Sequence, residues 1–200
     1  MSTNLFPPDA ARLVEDLAAS CARYVTNAIG TTPDNTGDTL PFIDHWLGSL
    51  EDTPRSEVMS LIVPAAGAYL GEVIRKHFGR VRWRFDGENY EKARLEFENV
   101  FLSFNPFALA LEAVLGEDVP GWGSELQLLA RDHDTVTGAL DNVGDVSDED
   151  YYRLTMRFEN IEHVVSVLEA LASARKETGV FLGPDVYGAE RGEHKSELLH

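Results

Sequence analysis

No stretch constrains this chain more than residues 58–85, which read VMSLIVPAAGAYLGEVIRKHFG and then RVRWRF. Ile62, Ala66, Tyr69, Leu70, Val73, Ile74 and His77 recur at three- and four-residue spacing, so they lay one wide apolar stripe along a helix. That stripe must be buried. Gly67 and Gly71, four apart, leave room for a second helix or a sheet to approach, or for a helix contact between subunits. Pro64 lacks an amide proton and clashes with the preceding turn, so a kink or a helix start is expected there. Gly79 is the C-terminal stop. Beyond it the period becomes two: Val81, Trp83 and Phe85 point one way, while Arg80, Arg82 and Arg84 point the other.

The flanks repeat this grammar. An amphipathic helix is expected from Leu13, Val14, Leu17, Cys21, Tyr24, Val25 and Ala28. Pro41 opens a short one carrying Phe42, Ile43, Trp46, Leu47 and Leu50, with Asp44 and His45 on its flank. The Asp-Gly pair at 86–87 marks a turn. Ala93, Leu95 and Phe97 then form a second inward strand face, with Arg94, Glu96 and Glu98 facing outward. A register break near Glu98 and Asn99 leads to a third strand over 102–104. Asn105 and Pro106 cap an almost wholly apolar helix that stops at Gly116. Leu126, Leu129, Ala130, His133, Val136, Leu140 and Val143 keep helical spacing as far as Gly144, and a long helix is expected over 148–176 after the cap residue Ser147. The fold class is therefore α+β, mainly helical, with a small antiparallel sheet of about three strands over 80–104 packed on helices. One globular domain covers 1–187, with a flexible tail over 188–200.

The formal charge of −17, from 34 acidic against 17 basic side chains, disfavours nucleic acid and anionic lipid as partners. The single cysteine, Cys21, allows no internal disulfide. No secretory signal is visible, and residues 58–71, the longest uncharged run, fall short of the roughly 20 needed to cross a bilayer. A cytoplasmic protein is expected.

Chemistry-bearing residues are sparse. Asp34, Thr36 and Asp38 alternate like calcium-loop oxygens, but the loop's glycine and distal glutamate are out of register. Ser124 follows Gly123, yet Leu126 stands where a nucleophile elbow needs glycine. His133 between Asp132 and Asp134 is expected on a polar face, half-buried, and Cys21 as a small core residue. Glu159, Glu162 and His163 lack the matching set that a carboxylate-bridged metal centre requires. The candidate ligand or partner site is therefore Glu72, Arg75, Arg80, Arg82 and Arg84, where the alternatives are anion capture and ion pairing with the carboxylates of the second strand. Glu72 itself is expected to pair with Lys76 one turn on. No catalytic residue, metal or cofactor is assigned.

The run Gly67-Ala68-Tyr69-Leu70-Gly71-Glu72-Val73-Ile74-Arg75, then Gly79, Trp83 and Asn105-Pro106-Phe107, resembles an uncharacterised bacterial domain family of unknown function. The likeness covers 65–113, about a quarter of the chain. It implies a helix leading into a small antiparallel sheet, and brings no activity or catalytic residues. The function expected is that of a non-enzymatic acidic interaction, regulatory or immunity-type protein with a protein partner. The alternative is an anion binder or enzyme with a pocket between the central helix and the sheet.

Overall fold

A computed structural model describes residues 6–50, 53–141 and 147–190. In chain order come α1 (Pro8–Ile29), a 3-10 turn (Gly37–Thr39), α2 (Leu40–Leu47), α3 (Arg55–Glu57), a π turn (Val58–Ile62) and α4 (Val63–Phe78). Then follow β1 (Val81–Arg84), β2 (Arg94–Phe97), β3 (Leu102–Phe104), α5 (Pro106–Leu115), β4 (Gln127–Leu128), α6 (Ala130–Asp141), α7 (Asp148–Tyr151), α8 (Leu154–Ala174) and α9 (Pro184–Glu190). The fold is α+β and mainly helical, with one antiparallel sheet in the order β1-β2-β3-β4.

The proline is accommodated by a change of helical register rather than by a break. Val63 N–H bonds back five residues to Val58 O in a π turn, and Pro64, which has no proton to donate, sits at the start of α4. The resulting rod, Arg55–Phe78, is long and apolar enough to cross a membrane, but 72% of its most apolar window is buried inside the fold. Its principal neighbours are α1 and α5. Enclosed by them, α4 is buried all round from Val63 to Gly71 instead of along one stripe, and His77, expected within the stripe, is exposed. At Gly67 a Cβ would lie 2.7 Å from the Phe107 Cα, and at Gly71 it would collide with the Trp83 ring. The two glycines therefore seat one aromatic residue of α5 and one of β1.

Trp83, Phe85, Leu95, Phe97 and Phe104 carry the inner face of the sheet, and Trp83 is 2% exposed. The outer face is a polar row. Arg82 lies opposite Glu96, Glu96 opposite Ser103, and Ser103 opposite Gln127, so one row crosses all four strands. The fourth strand departs from expectation: 127–128 pair with β3, and the helix that the spacing extends from Leu126 begins only at Ala130. Val143 and Gly144 lie outside the described residues, as do the tail residues 191–200. Within the expected 188–200 tail, α9 continues to Glu190.

The expected long helix over 148–176 is two helices. Asp44 of α2 interrupts it by accepting from Leu154 N (2.7 Å), Thr155 N (3.0 Å) and Thr155 Oγ1 (2.6 Å), so a carboxylate from a distant element caps α8.

Candidate functional site

The five residues expected to form a site are split between two faces of the sheet. Glu72 accepts from Trp83 Nε1 at 2.8 Å and from Arg75 at 2.9 Å, which ties both groups to the dry side of β1. Lys76, its expected partner, donates instead to Asp34 O at 3.1 Å. Arg82 faces the other way and pairs at 2.9 Å with Glu96, a carboxylate with no exposure at all. Arg84 shares that face by strand alternation, opposite Arg94, and Arg80 is exposed. Glu72 and Arg82 therefore do not meet.

At Arg82 the outer face is covered rather than open to water. Arg82 Nη1 donates to Leu182 O at 2.6 Å, and its guanidinium carbon lies 5.4 Å from the centre of the Tyr187 ring. The Tyr187 hydroxyl lies 2.7 Å from Phe97 O and accepts from Leu102 N at 3.1 Å. Burial, foremost, holds this phenol well above its ordinary pKa. The space between α4 and the sheet is also filled, since Trp83 and Phe107 occupy what Gly67 and Gly71 leave free. The pocket expected between the central helix and the sheet is thus a packed aromatic contact.

Open space lies on the other flank of α5. A cavity of about 930 Å³ is bounded by α2, α5 and α8, with the capping residue Asp44 in its wall. A second, of about 680 Å³, lies between α5, α6, α8 and the strand β4. The second is built around a buried ion pair. Glu112, 2% exposed on the otherwise apolar α5, accepts at Oε1 from Ser124 Oγ (2.6 Å) and Val119 N (3.2 Å), and at Oε2 from Arg157 Nη2 (3.0 Å). Arg157 in turn lies 4.1 Å beneath the Tyr151 ring centre, and its buried Nε has no protein partner.

Local geometry explains how Ser124 arrives there. Gly121 and Gly123 take positive φ of 91° and 71°, Gly123 O accepts from Asn105 N at 2.8 Å, and Trp122 O accepts from Asn105 Nδ2 at 2.9 Å. The cap of α5 thus pins the loop and delivers the serine to Glu112, whose acceptor sites are then taken by three donors. It acts as a fixed strut.

Asp118, Glu125 and Asp141, all exposed, rim the cavity, and Leu109, Leu126, Leu128, Val136 and Leu140 line it with carbon. Arg157, the one lysine or arginine among the described lining residues, directs its charge at Glu112. His133 lines this cavity and is exposed rather than half-buried. The result is an apolar bed inside a negative rim, the chemistry of a seat for a cation with a greasy stem.

Asp34 and Cys21 act locally. Asp34 Oδ1 accepts from Thr36 Oγ1 (2.5 Å) and Thr36 N (3.1 Å), and the Thr36 hydroxyl is foremost in lowering its pKa. Burial places the Cys21 thiol far above its ordinary value, as a core cysteine requires. Glu162 pairs with His77 at 2.9 Å, and no metal-binding group of His, Cys, Asp and Glu occurs among the described residues.

Sequence reasoning missed Glu112 and Arg157. The one signal was a glutamate inside FALALEAVL, where a buried charge demands a partner. The chain matches no protein-family model, no curated protein and no solved structure.

Proposed function

We propose that this is a non-enzymatic acidic interaction protein, of the regulatory or immunity type, which seats a basic segment of a protein partner in the cavity beside Glu112 and Arg157. The observation that carries the reading is the rim: Asp118, Glu125 and Asp141 surround an apolar bed whose arginine is already paired. A lysine or arginine side chain there lays its methylenes on Leu126, Leu128 and Val136 and its charge on the rim. The net charge of −17 draws such a partner in from a distance. Membership of the uncharacterised bacterial domain family, and a place in the bacterial cytoplasm, belong to the same proposal.

The test is fluorescence anisotropy with a labelled nonapeptide of alternating arginine and leucine, against wild type and an Asp118→Asn, Glu125→Gln, Asp141→Asn triple variant. The expected result is salt-sensitive binding that the triple variant weakens by about tenfold, since three rim charges each contribute on the order of 0.5 kcal/mol. Equal affinity in the two proteins would overturn the reading.

A further inference from the structure

The segment that follows α8 is fastened to the sheet as a plug in a socket. From Arg175 to Ala189 Tyr187 alone is buried, at 1% exposure. Its hydroxyl lies 2.7 Å from Phe97 O and 3.1 Å from both Val100 O and Leu102 O, and it accepts from Leu102 N at 3.1 Å. The ring stacks on Phe101 at 4.5 Å between centres, and the Arg82 guanidinium lies over it at 5.4 Å. One further residue completes the attachment: Leu182 N donates to Glu98 O at 2.9 Å, and Leu182 O accepts from Arg82 Nη1 at 2.6 Å. The socket, 97–102 with Arg82, therefore reads one backbone residue and a phenol five positions later, a contact concentrated in a single anchor.

The connection to that plug is built to open. Residues 178–181 are exposed, and among the described residues they have no hydrogen-bond or ion-pair partner. Just before them Lys176 has a φ of 59°, a left-handed conformation that a lysine adopts only at a cost. The turn is closed by Glu177 N donating to Ala172 O at 2.8 Å, at the place where a helix end commonly carries glycine. Yet Ala174, Arg175, Lys176 and Glu177 are all helix formers. Straightening the turn lets α8 run on, removes the left-handed lysine and carries the plug away from its own socket. The Arg131–Glu177 pair opposes this, but both side chains are exposed and such pairs contribute little.

We infer that 182–187 is an exchangeable arm: its tyrosine enters the 97–102 socket of a second copy of this chain, whose own arm returns the contact, giving a symmetric arm-exchanged dimer. Fit selects this occupant, since the sequence 182–187 already makes every contact of the socket and a second copy supplies it unchanged. Each socket is then complete only with the other copy's arm. Two chains at −17 repel, so exchange strengthens as salt is added, the reverse of the salt dependence of the Glu112 cavity. No socket residue lines that cavity, so either inference can fail alone.

The experiment is sedimentation equilibrium of the full chain up to about 1 mM, at about 0.05 and 0.5 M salt, for wild type, Gly179→Ala, Lys176→Gly and Gly179→Ala combined with Tyr187→Ala. Gly179 has a φ of 84° and open space at its Cβ position, so alanine there strains the closed connection without a clash. The expected result is a dimer about tenfold or more tighter in Gly179→Ala, about tenfold weaker in Lys176→Gly, and absent once Tyr187 is removed. A second measurement needs no dimer. A labelled peptide of residues 180–190 should bind full-length Tyr187→Ala, whose socket is empty, about tenfold or more tighter than wild type, and exchanging the peptide's tyrosine for phenylalanine should abolish the difference. Thermal melts check that Tyr187→Ala is folded; if it is not, Tyr187→Phe, which keeps the ring, replaces it in both measurements. The proposal is overturned if every protein is a monomer at the highest concentration and salt, if the dimer survives loss of Tyr187 or tightens as salt is lowered, or if the peptide binds wild type and the Tyr187 variant alike.

Discussion

Glu112 is the residue whose environment most limits what can be changed. Its pairing with Arg157 crosses two helices inside the protein, and removing one member leaves the other charge buried without compensation. Arg157→Met should therefore cost about 3–5 kcal/mol in urea unfolding, whereas Glu112→Met combined with Arg157→Met should recover most of that loss. A single variant as stable as wild type would show that the pair is not buried in solution. Gly71→Ala tests a different contact, since its methyl would enter the Trp83 ring, and about 1–3 kcal/mol of stability should be lost. At this scale the sequence was informative wherever a residue's role is local. The spacing of Gly67 and Gly71 already said that something large comes close. It could not say that Phe107 and Trp83 are what comes, because those contacts join residues far apart in the chain. Likewise Glu112 stands out from its apolar helix in the sequence, but Ser124 and Arg157 are found only once the chain is folded.

Among elements, legibility followed periodicity. The strand reading of 81–84 held because tryptophan and arginine alternate, and that of 94–97 because Leu95 and Phe97 alternate with Glu96, which meets Arg82 of its neighbour. The apolar spacing across 126–143 concealed a two-residue strand, for such a short element has no period of its own. Asp44 shows how a distant side chain overrides helical spacing: it claims Leu154 N and Thr155 N, and one long amphipathic pattern becomes two helices. Asp44→Ala should cost about 1–2 kcal/mol and raise hydrogen exchange at the start of α8 first. A similar argument governs the β1–β2 connection, where Asp86 Oδ1 accepts from Glu88 N and Asn89 N, both at 2.9 Å. These bonds, Asn89 foremost, lower its pKa below the ordinary value. A carboxyl with a depressed folded-state pKa contributes stability above its unfolded value of about 3.9, and that contribution is lost as pH falls through the lower folded value. The stability difference between wild type and Asp86→Ala should therefore be constant at neutral pH and shrink only below about pH 4. A difference that widens on acidification would contradict this assignment of the turn.

For the whole molecule, the architecture separates two kinds of surface. Around Arg82 the arginine side of the sheet, which alternation alone marks as solvent-facing, is instead covered by 182–187. Nothing in the local pattern announces that closure, because it depends on Tyr187 reaching back to Phe97 and Leu102. Asp118, Glu125 and Asp141 stay outside and rim the cavity of α5, α6 and α8. The most direct measurement is a proton–nitrogen correlation map of the labelled protein titrated with the arginine–leucine nonapeptide. The account requires shifts to concentrate on the amides of Leu126, Leu128, Val136 and Tyr151 and to fade in the Asp118→Asn, Glu125→Gln, Asp141→Asn variant. Shifts of equal size in both proteins, or a wild-type map in which those four amides stay still, would contradict it.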